Sequence, residues 1–201
     1  GKIQSYKKNK NKIILSVNSS ANADGLENLS SDSICGKTLI IDTKTKEYKI
    51  YTSGHRNIIG MYSDKDIILA TEHGPFAGDE INNIQEGQSY GWPISSYGEK
   101  YSRGQSNEPP NYKKDHETHG FVEPIFSFVP AIGISEIIKL PNNFSEMWQD
   151  NFLVGSLNGN YLYRIKFDKN FSKIIYHERI FIGDRIRDII YNGNSDEIFL
   201  S

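Results

Sequence analysis

Apolar residues along this chain come in runs of four to seven, rich in Ile, Val, Tyr and Phe and separated by Gly, Asn, Asp and Lys. Such runs predict strands nearly everywhere and little helix. The clearest hairpin joins Thr38–Asp42 to Glu47–Thr52 through a polar turn at residues 43–46, and strict alternation places Tyr48, Ile50 and Thr52 on one face. A second joins Tyr161–Phe167 to Ser172–Tyr176. Four segments resemble one another, each after a polar turn: Lys12–Ser16 (KIILS), Asp66–Ala70 (DIILA), Asn151–Gly155 (NFLVG) and Glu197–Ser201 (EIFLS), at successive offsets of 54, 85 and 46 residues. A propeller blade occupies about 40 to 50 residues. The pattern therefore predicts an all-β propeller of roughly four blades, with residues 12–17, 66–72, 151–156 and 197–201 as equivalent strands of different sheets. The long offset reads as an insertion. Residues 73–120 are rich in Gly, Asn and Ser and lose the strand pattern after Tyr97, which predicts a long loop at about 94–120, either functional or disordered.

Composition narrows the function classes. With 23 Lys and Arg against 25 Asp and Glu, the formal net charge is -2, so no basic excess exists to neutralise a nucleic-acid backbone. No apolar run approaches the roughly 18 residues of a membrane-spanning helix. The single cysteine, Cys35, has neither an internal disulfide partner nor the spaced companions of a zinc site. The chain opens on Gly1 without a Met and stops at Ser201 within a strand pattern. This reads as a fragment, residues 1–201 forming part of a propeller domain, and the missing leader then says nothing about compartment.

Three stretches carry chemistry. Gly54–Asn57 (GHRN) follows a strand; the Arg56 fork suits a carboxylate and Asn57 offers both donor and acceptor, although a solvated turn arginine would look the same. In Glu72–Glu80 (EHGPFAGDE), Gly and Pro free the carbonyls of Gly74 and Pro75 from strand pairing. Bare carbonyls beside Asp79 and Glu80 are donors for a hard cation such as calcium, and Tyr90, ten residues beyond Glu80, adds a carbonyl if the loop turns back. A surface acidic pair is the alternative. In Gly183–Asp188 (GDRIRD), period two places Arg185 and Arg187 on one face, two forks suited to a polycarboxylate or phosphate unless Asp184 and Asp188 pair with them. A ring of blades would gather Arg56, Arg185 and Arg187 around one pocket at the rim of Gly74 and Pro75. His116 and His119, in the polar loop beside Asp115 and Glu117, read as solvated rather than as a zinc site. No phosphate loop or nucleophile elbow is present.

Taken in order, Gly54–Asn57, Glu72–Pro75, Gly78–Glu80, Ser89–Pro93 and Arg185–Asp188 resemble the soluble quinoprotein glucose/sorbosone dehydrogenase family, most of all its aldose-sugar dehydrogenase branch. The resemblance covers most of the chain and is most specific from His73 to Pro93. It implies a six-bladed β-propeller that binds pyrroloquinoline quinone (PQQ) and calcium and oxidises aldose sugars, in a periplasmic or secreted setting. Carried over residue by residue, it implies that Arg56 and Asn57 contact the quinone and that Gly74 and Pro75 hold the cofactor calcium. Glu80 and Tyr90 would join a second, structural calcium, and Arg185 and Arg187 would meet cofactor carboxylates. No catalytic residue is assigned within the chain, because the family's catalytic His aligns before Gly1 and its supporting Asp falls near Ser19.

The sequence departs from the family at Ile59, where a Gln is expected, at Ala131, where a Ser or Thr is expected, and at Asn158, where a Lys is expected. These replacements remove polar contacts to the quinone, and each lost contact costs about 1–3 kcal/mol if its partner stays buried and unpaired. The sequence thus admits a quinone-dependent sugar dehydrogenase, a non-catalytic propeller that binds a carbohydrate or protein partner, and a structural propeller whose arginines pair internally.

Overall fold

The computed structural model describes residues 1–19, 26–100 and 112–201. The strands form four antiparallel sheets, each in chain order. The first holds β1 (Ile3–Ser5), β2 (Lys12–Val17), β3 (Lys37–Asp42) and β4 (Tyr48–Thr52); the second holds β5 (Ile58–Ser63), β6 (Ile68–Glu72), β7 (Asp79–Asn83) and β8 (Phe126–Phe128). The third holds β9 (Ile134–Lys139), β10 (Asn151–Ser156), β11 (Tyr161–Phe167) and β12 (Ile174–Phe181), and the fourth pairs β13 (Ile189–Asn192) with β14 (Glu197–Leu200). The four repeated segments lie on β2, β6, β10 and β14, the second strand of each sheet. The first strands approach one another in sequence, β1 to β5, β5 to β9 and β9 to β13. This radial repetition is that of a β-propeller.

The second strands of the two inner sheets read as unbroken apolar runs because neighbouring sheets cover them from both sides, whereas β2 is only partly buried and β14 is largely exposed. Every residue of β6 and of β10 is buried, a pattern expected wherever neither face meets water. Ile14 and Ile40 of the first sheet pack on Ile58, Met61, Ile68 and Ala70 of the second. Leu69 and Ile81 then pack on Ile134, Ile137, Phe152 and Val154 of the third, and Leu153 and Leu162 meet Ile189 of the fourth.

Both predicted hairpins form. In the first, however, the pairing steps from Leu39 opposite Ile50 to Thr38 opposite Thr52, so Tyr51 is an extra residue. Such a bulge reverses the facing of the residues beyond it. Tyr48 and Ile50 are exposed while Tyr51 and Thr52 are buried, and the expected shared face of Tyr48, Ile50 and Thr52 is not kept. The second hairpin pairs β11 with β12, whose strand continues past Tyr176 to Phe181. Between β7 and β8 the described residues carry no strand and one 3-10 turn, Glu117–His119; residues 101–111 of the predicted loop at 94–120 lie outside the described residues.

Candidate functional site

Three connections meet at one end of the second sheet. Residues 53–57 link β4 to β5, residues 73–78 link β6 to β7, and residues 84–100 follow β7. The first and third lie backbone against backbone. Tyr90 N donates to Ser53 O at 3.0 Å and Trp92 N to Gly54 O at 3.0 Å. Gly54 has φ +77°, and a Cβ there would lie 2.6 Å from Gly91 N. Only glycine combines that conformation with so close an approach.

The 73–78 turn is held from inside by Asp79. Its Oδ1 accepts from Gly74 N at 3.2 Å, and its Oδ2 accepts from Ile132 N at 3.0 Å and Ile134 N at 2.9 Å. With both oxygens occupied by backbone donors, Asp79 ties the turn to the start of the third sheet and is not a free cation donor. Arg56 lies across the turn. Its Nη1 donates to His73 O at 3.1 Å and Gly74 O at 2.7 Å, and its guanidinium stacks 5.4 Å from the Trp92 ring. The Gly74 carbonyl, expected to be bare, therefore already accepts a charged donor.

These groups enclose a small cavity with free volume near 10 Å³, lined by Arg56, Glu72, Gly74, Pro75, Glu80 and Tyr90 together with Trp92 and Ser95. That is room for one water or one ion. Glu72 and Glu80 stand directly opposite each other on β6 and β7, an arrangement that like charges disfavour. Glu72 is engaged by local bonds: its Oε2 meets His55 Nδ1 at 3.0 Å and its Oε1 accepts from Arg56 N. Glu80, 7% exposed, has no Lys or Arg partner among the described residues. Asn82 Nδ2 donates to its Oε2 at 3.2 Å, and His116 Nε2 stands 3.6 Å from its Oε1. Burial, with the Glu72 carboxylate beside it, pushes the Glu80 carboxyl well above its ordinary value of 4.5.

Sequence reasoning placed His116 in solvent, and the structure corrects this. The ring is 1% exposed and stacks 5.3 Å from Tyr97; neither nitrogen makes a well-formed hydrogen bond. Burial holds its pKa below the ordinary value, against the pull of the Glu123 and Glu72 carboxylates. His119 is exposed. A run of polar loop residues gave no sign that one histidine turns inward.

A raised carboxyl pKa stabilises the fold fully below the unfolded pKa, and that contribution is lost as pH rises toward the folded one. Cation-free protein is therefore expected to lose stability as pH climbs above about 4.5, and Glu80→Gln should remove that part of the loss. Denaturation midpoints of both proteins across pH give the comparison; parallel curves would refute it.

The remaining candidates are not among the residues that line this cavity. Asn57 accepts from Asn18 Nδ2 through its side chain and from His73 N through its carbonyl, so it braces the two turns. Arg185 and Arg187 are exposed on the connection from β12 to β13, either side of buried Ile186. That connection corresponds to the one carrying Arg56, but neither residue is among those lining the cavity. Asp184 and Asp188 accept from the backbone N–H groups of Arg185 and Ile189. Among the described residues Arg56, Arg185 and Arg187 form no ion pair. Ala131 and Asn158 sit on facing turns joined by Asn158 N to Ile132 O at 3.0 Å, next to the Asp79 bracket. Ser19 accepts from Trp92 Nε1 at 3.1 Å and its N–H donates to Arg56 O at 2.7 Å.

A β-propeller with a small polar cavity among the loops at one end of a sheet is the class that fold and site define. The sequence profile of the glucose/sorbosone dehydrogenase family matches residues 28–201, and the chain belongs to that family. It is 34% identical over 143 residues to protein slr1608 of Synechocystis, covering 70% of this chain and 33% of that protein. To aldose sugar dehydrogenase YliI of Escherichia coli it is 30% identical over 145 residues, covering 70% and 38%. The apo-form crystal structure of the soluble aldose sugar dehydrogenase from Escherichia coli superposes with TM-score 0.80 at 22% identity, over 96% of this chain and 58% of that one. The PQQ-bound aldose sugar dehydrogenase of Streptomyces coelicolor gives 0.64 at 22%, over 89% and 48%. The chain thus spans about a third of these two curated relatives and about half of these structures.

The residues present fit the groups that the family implies. Among the described residues Glu80 is a buried carboxylate without a Lys or Arg partner, and Asn82 Oδ1 beside it is buried without a hydrogen-bond partner; both suit an oxygen-seeking cation. Three guanidinium groups without carboxylate partners suit an anionic, carboxylate-bearing quinone. The described residues hold no helix long and apolar enough to cross a membrane.

Proposed function

We propose that this chain is the cofactor-binding part of a PQQ- and calcium-dependent dehydrogenase of aldose sugars, acting in the periplasm or outside the cell. The observation that carries the reading is the convergence of Arg56, Gly74, Pro75 and Tyr90, from three separate connections, with Glu80 of β7 on one cavity. When bound, PQQ supplies the electron acceptor for sugar oxidation. The chain's own residues bind and orient. The fork of Arg56, fixed by Trp92 and two carbonyls, presents its remaining donors to a carboxylate. Arg185 and Arg187 offer further forks on the corresponding rim. The Gly74 and Pro75 carbonyls would offer oxygens to the cofactor calcium, and the Tyr90 carbonyl and the Glu80 carboxylate to a second calcium. No residue of the chain is assigned as the base that takes the sugar proton.

Spectral titration of the full-length protein with PQQ in the presence of calcium, followed by dye reduction with aldoses, tests the reading. Saturable binding and aldose-dependent reduction are expected; an unchanged quinone spectrum would end it. Arg56→Lys keeps the charge but loses the fork, so quinone affinity should fall by about tenfold or more. The competing reading, a propeller that binds a carbohydrate or protein without turnover, draws on Ile59, Ala131 and Asn158. It predicts sugar or partner binding without any quinone requirement.

A further inference from the structure

We propose that His116 is a nitrogen ligand of the Glu80 cation site, so that the site takes imidazole-binding divalent ions of the first transition series more tightly than calcium. The inference rests on the reading of Glu80 as a cation ligand and adds a donor to it.

Two buried polar atoms beside the Glu80 carboxylate point this way. Glu80 Oε1 faces His116 Nε2, which has no well-formed hydrogen bond, and Asn82 Oδ1 lacks one too, whereas Nδ1 is turned to the backbone at Tyr90 and Val122. Buried polar groups left unpaired in a folded protein call for an unseen water or ion. The spacing favours one shared ion. At 3.6 Å, Nε2 and Oε1 are too far apart for a direct hydrogen bond. Metal bonds of about 2.0–2.6 Å, at ordinary angles between ligands, put two donors on one ion roughly 3–4 Å apart.

Charge separates an ion from a water. Glu80 faces Glu72 across the strand pair, and Asp79 and Glu123 add to the negative field. The Glu72 carboxylate is engaged by His55 and the Arg56 backbone, and the Arg56 guanidinium donates to two carbonyls. A bridging water would pair the orphan atoms and leave this field in place, whereas a dication answers both. The ring is also oriented for ligation. Nε2 points to the carboxylate while Nδ1 faces the Gly91 turn, 3.3 Å from where a Cβ on Gly91 would stand. The Tyr90 and Val122 carbonyls lie beside the ring, the kind of acceptors that fix the orientation of metal-bound histidines. A purely oxygen donor set suits calcium; one imidazole moves preference toward cobalt, nickel and zinc.

The test uses full-length protein stripped of metal, with Co²⁺ and Ca²⁺ added separately at matched concentrations, reading thermal midpoint and the visible Co²⁺ spectrum. Co²⁺ should stabilise more than Ca²⁺, and His116→Gln should weaken Co²⁺ binding about tenfold or more while changing Ca²⁺ binding far less. If Ca²⁺ stabilises at least as well and His116→Gln leaves both ions unaffected, His116 is not a ligand, although Glu80 remains one. If neither ion shifts the midpoint of wild type or of Glu80→Gln, the cluster holds water and both readings fall. Should His116→Gln not fold, nitrogen coupling in the electron spin-echo spectrum of Mn²⁺-loaded wild type reads ligation directly, and its absence overturns the proposal.

Discussion

Replacing Glu72 by Ala is expected to lower the unfolding free energy by about 3–5 kcal/mol, because it strands two buried groups at once. Glu72 Oε2 is the partner of His55 Nδ1, and its Oε1 takes the N–H of Arg56. On the far side of the ring, His55 Nε2 pairs with Thr52 Oγ1 at 2.8 Å, and Thr52 Oγ1 pairs with Thr38. The ring itself stacks 4.7 Å from Tyr90. The carboxylate therefore closes a chain of hydrogen bonds running from the first sheet into the turn that carries Arg56. Glu72→Gln, which keeps one oxygen acceptor, should lose less. Denaturant midpoints of the two variants, combined in a double-mutant cycle with His55→Ala, measure the coupling. If Glu72→Ala were no worse than a surface substitution, this chain would not hold the turn.

Phe152→Ala should cost a similar amount, about 3–5 kcal/mol, by an unrelated mechanism. Phe152 is 1% exposed on β10 and meets Tyr62 of the second sheet edge-on at 5.2 Å, Phe167 at 5.2 Å and Phe171 at 6.2 Å. Truncation leaves a void between two sheets that their strand ladders prevent from collapsing. The two variants should differ in what they do to the site. Phe152→Ala should lower the denaturant midpoint and leave cation-dependent stabilisation intact, whereas Glu72→Ala should alter both. Equal loss of cation response in the two would mean that site and core do not separate in this way.

Much of the fold is legible because blade geometry writes itself into the chain. A second strand covered on both faces must be apolar at consecutive positions, as in DIILA and NFLVG; KIILS and EIFLS carry the same pattern on strands that are only partly buried or largely exposed. The turn from His73 to Gly78 is legible for a similar reason, since a Gly-Pro pair ahead of two acidic residues leaves carbonyls unpaired by strand bonding. Other features depend on meetings that sequence distance hides. The Tyr51 bulge follows from register with β3, and no local pattern marks it. His116 reaches Glu80 only because the segment after β7 folds back over its own strand. Asp79 looked like a cation donor beside Glu80, but alternate residues of a strand face opposite ways. Its carboxylate is consequently directed to the backbone of the third sheet. Arg185 and Arg187 match the family by motif, and their exposed position on the rim is set by how β12 turns into β13.

The bracket made by Asp79 carries a consequence for how such a protein can diversify. One side chain fastens the Gly74 turn to Ile132 and Ile134 across a sheet boundary, and the Tyr90 hydroxyl closes the next loop on Asn83 and Gln85. The donor-bearing backbone is thereby clamped at both margins, and the described residues that follow are tied to the same cradle: Glu99 pairs with Phe76, Ser95 lines the cavity and His116 faces Glu80. A relative that exchanges this stretch therefore has to restore those contacts or reshape the cradle. Grafting it from another member should alter the cation response together with whatever selectivity it confers.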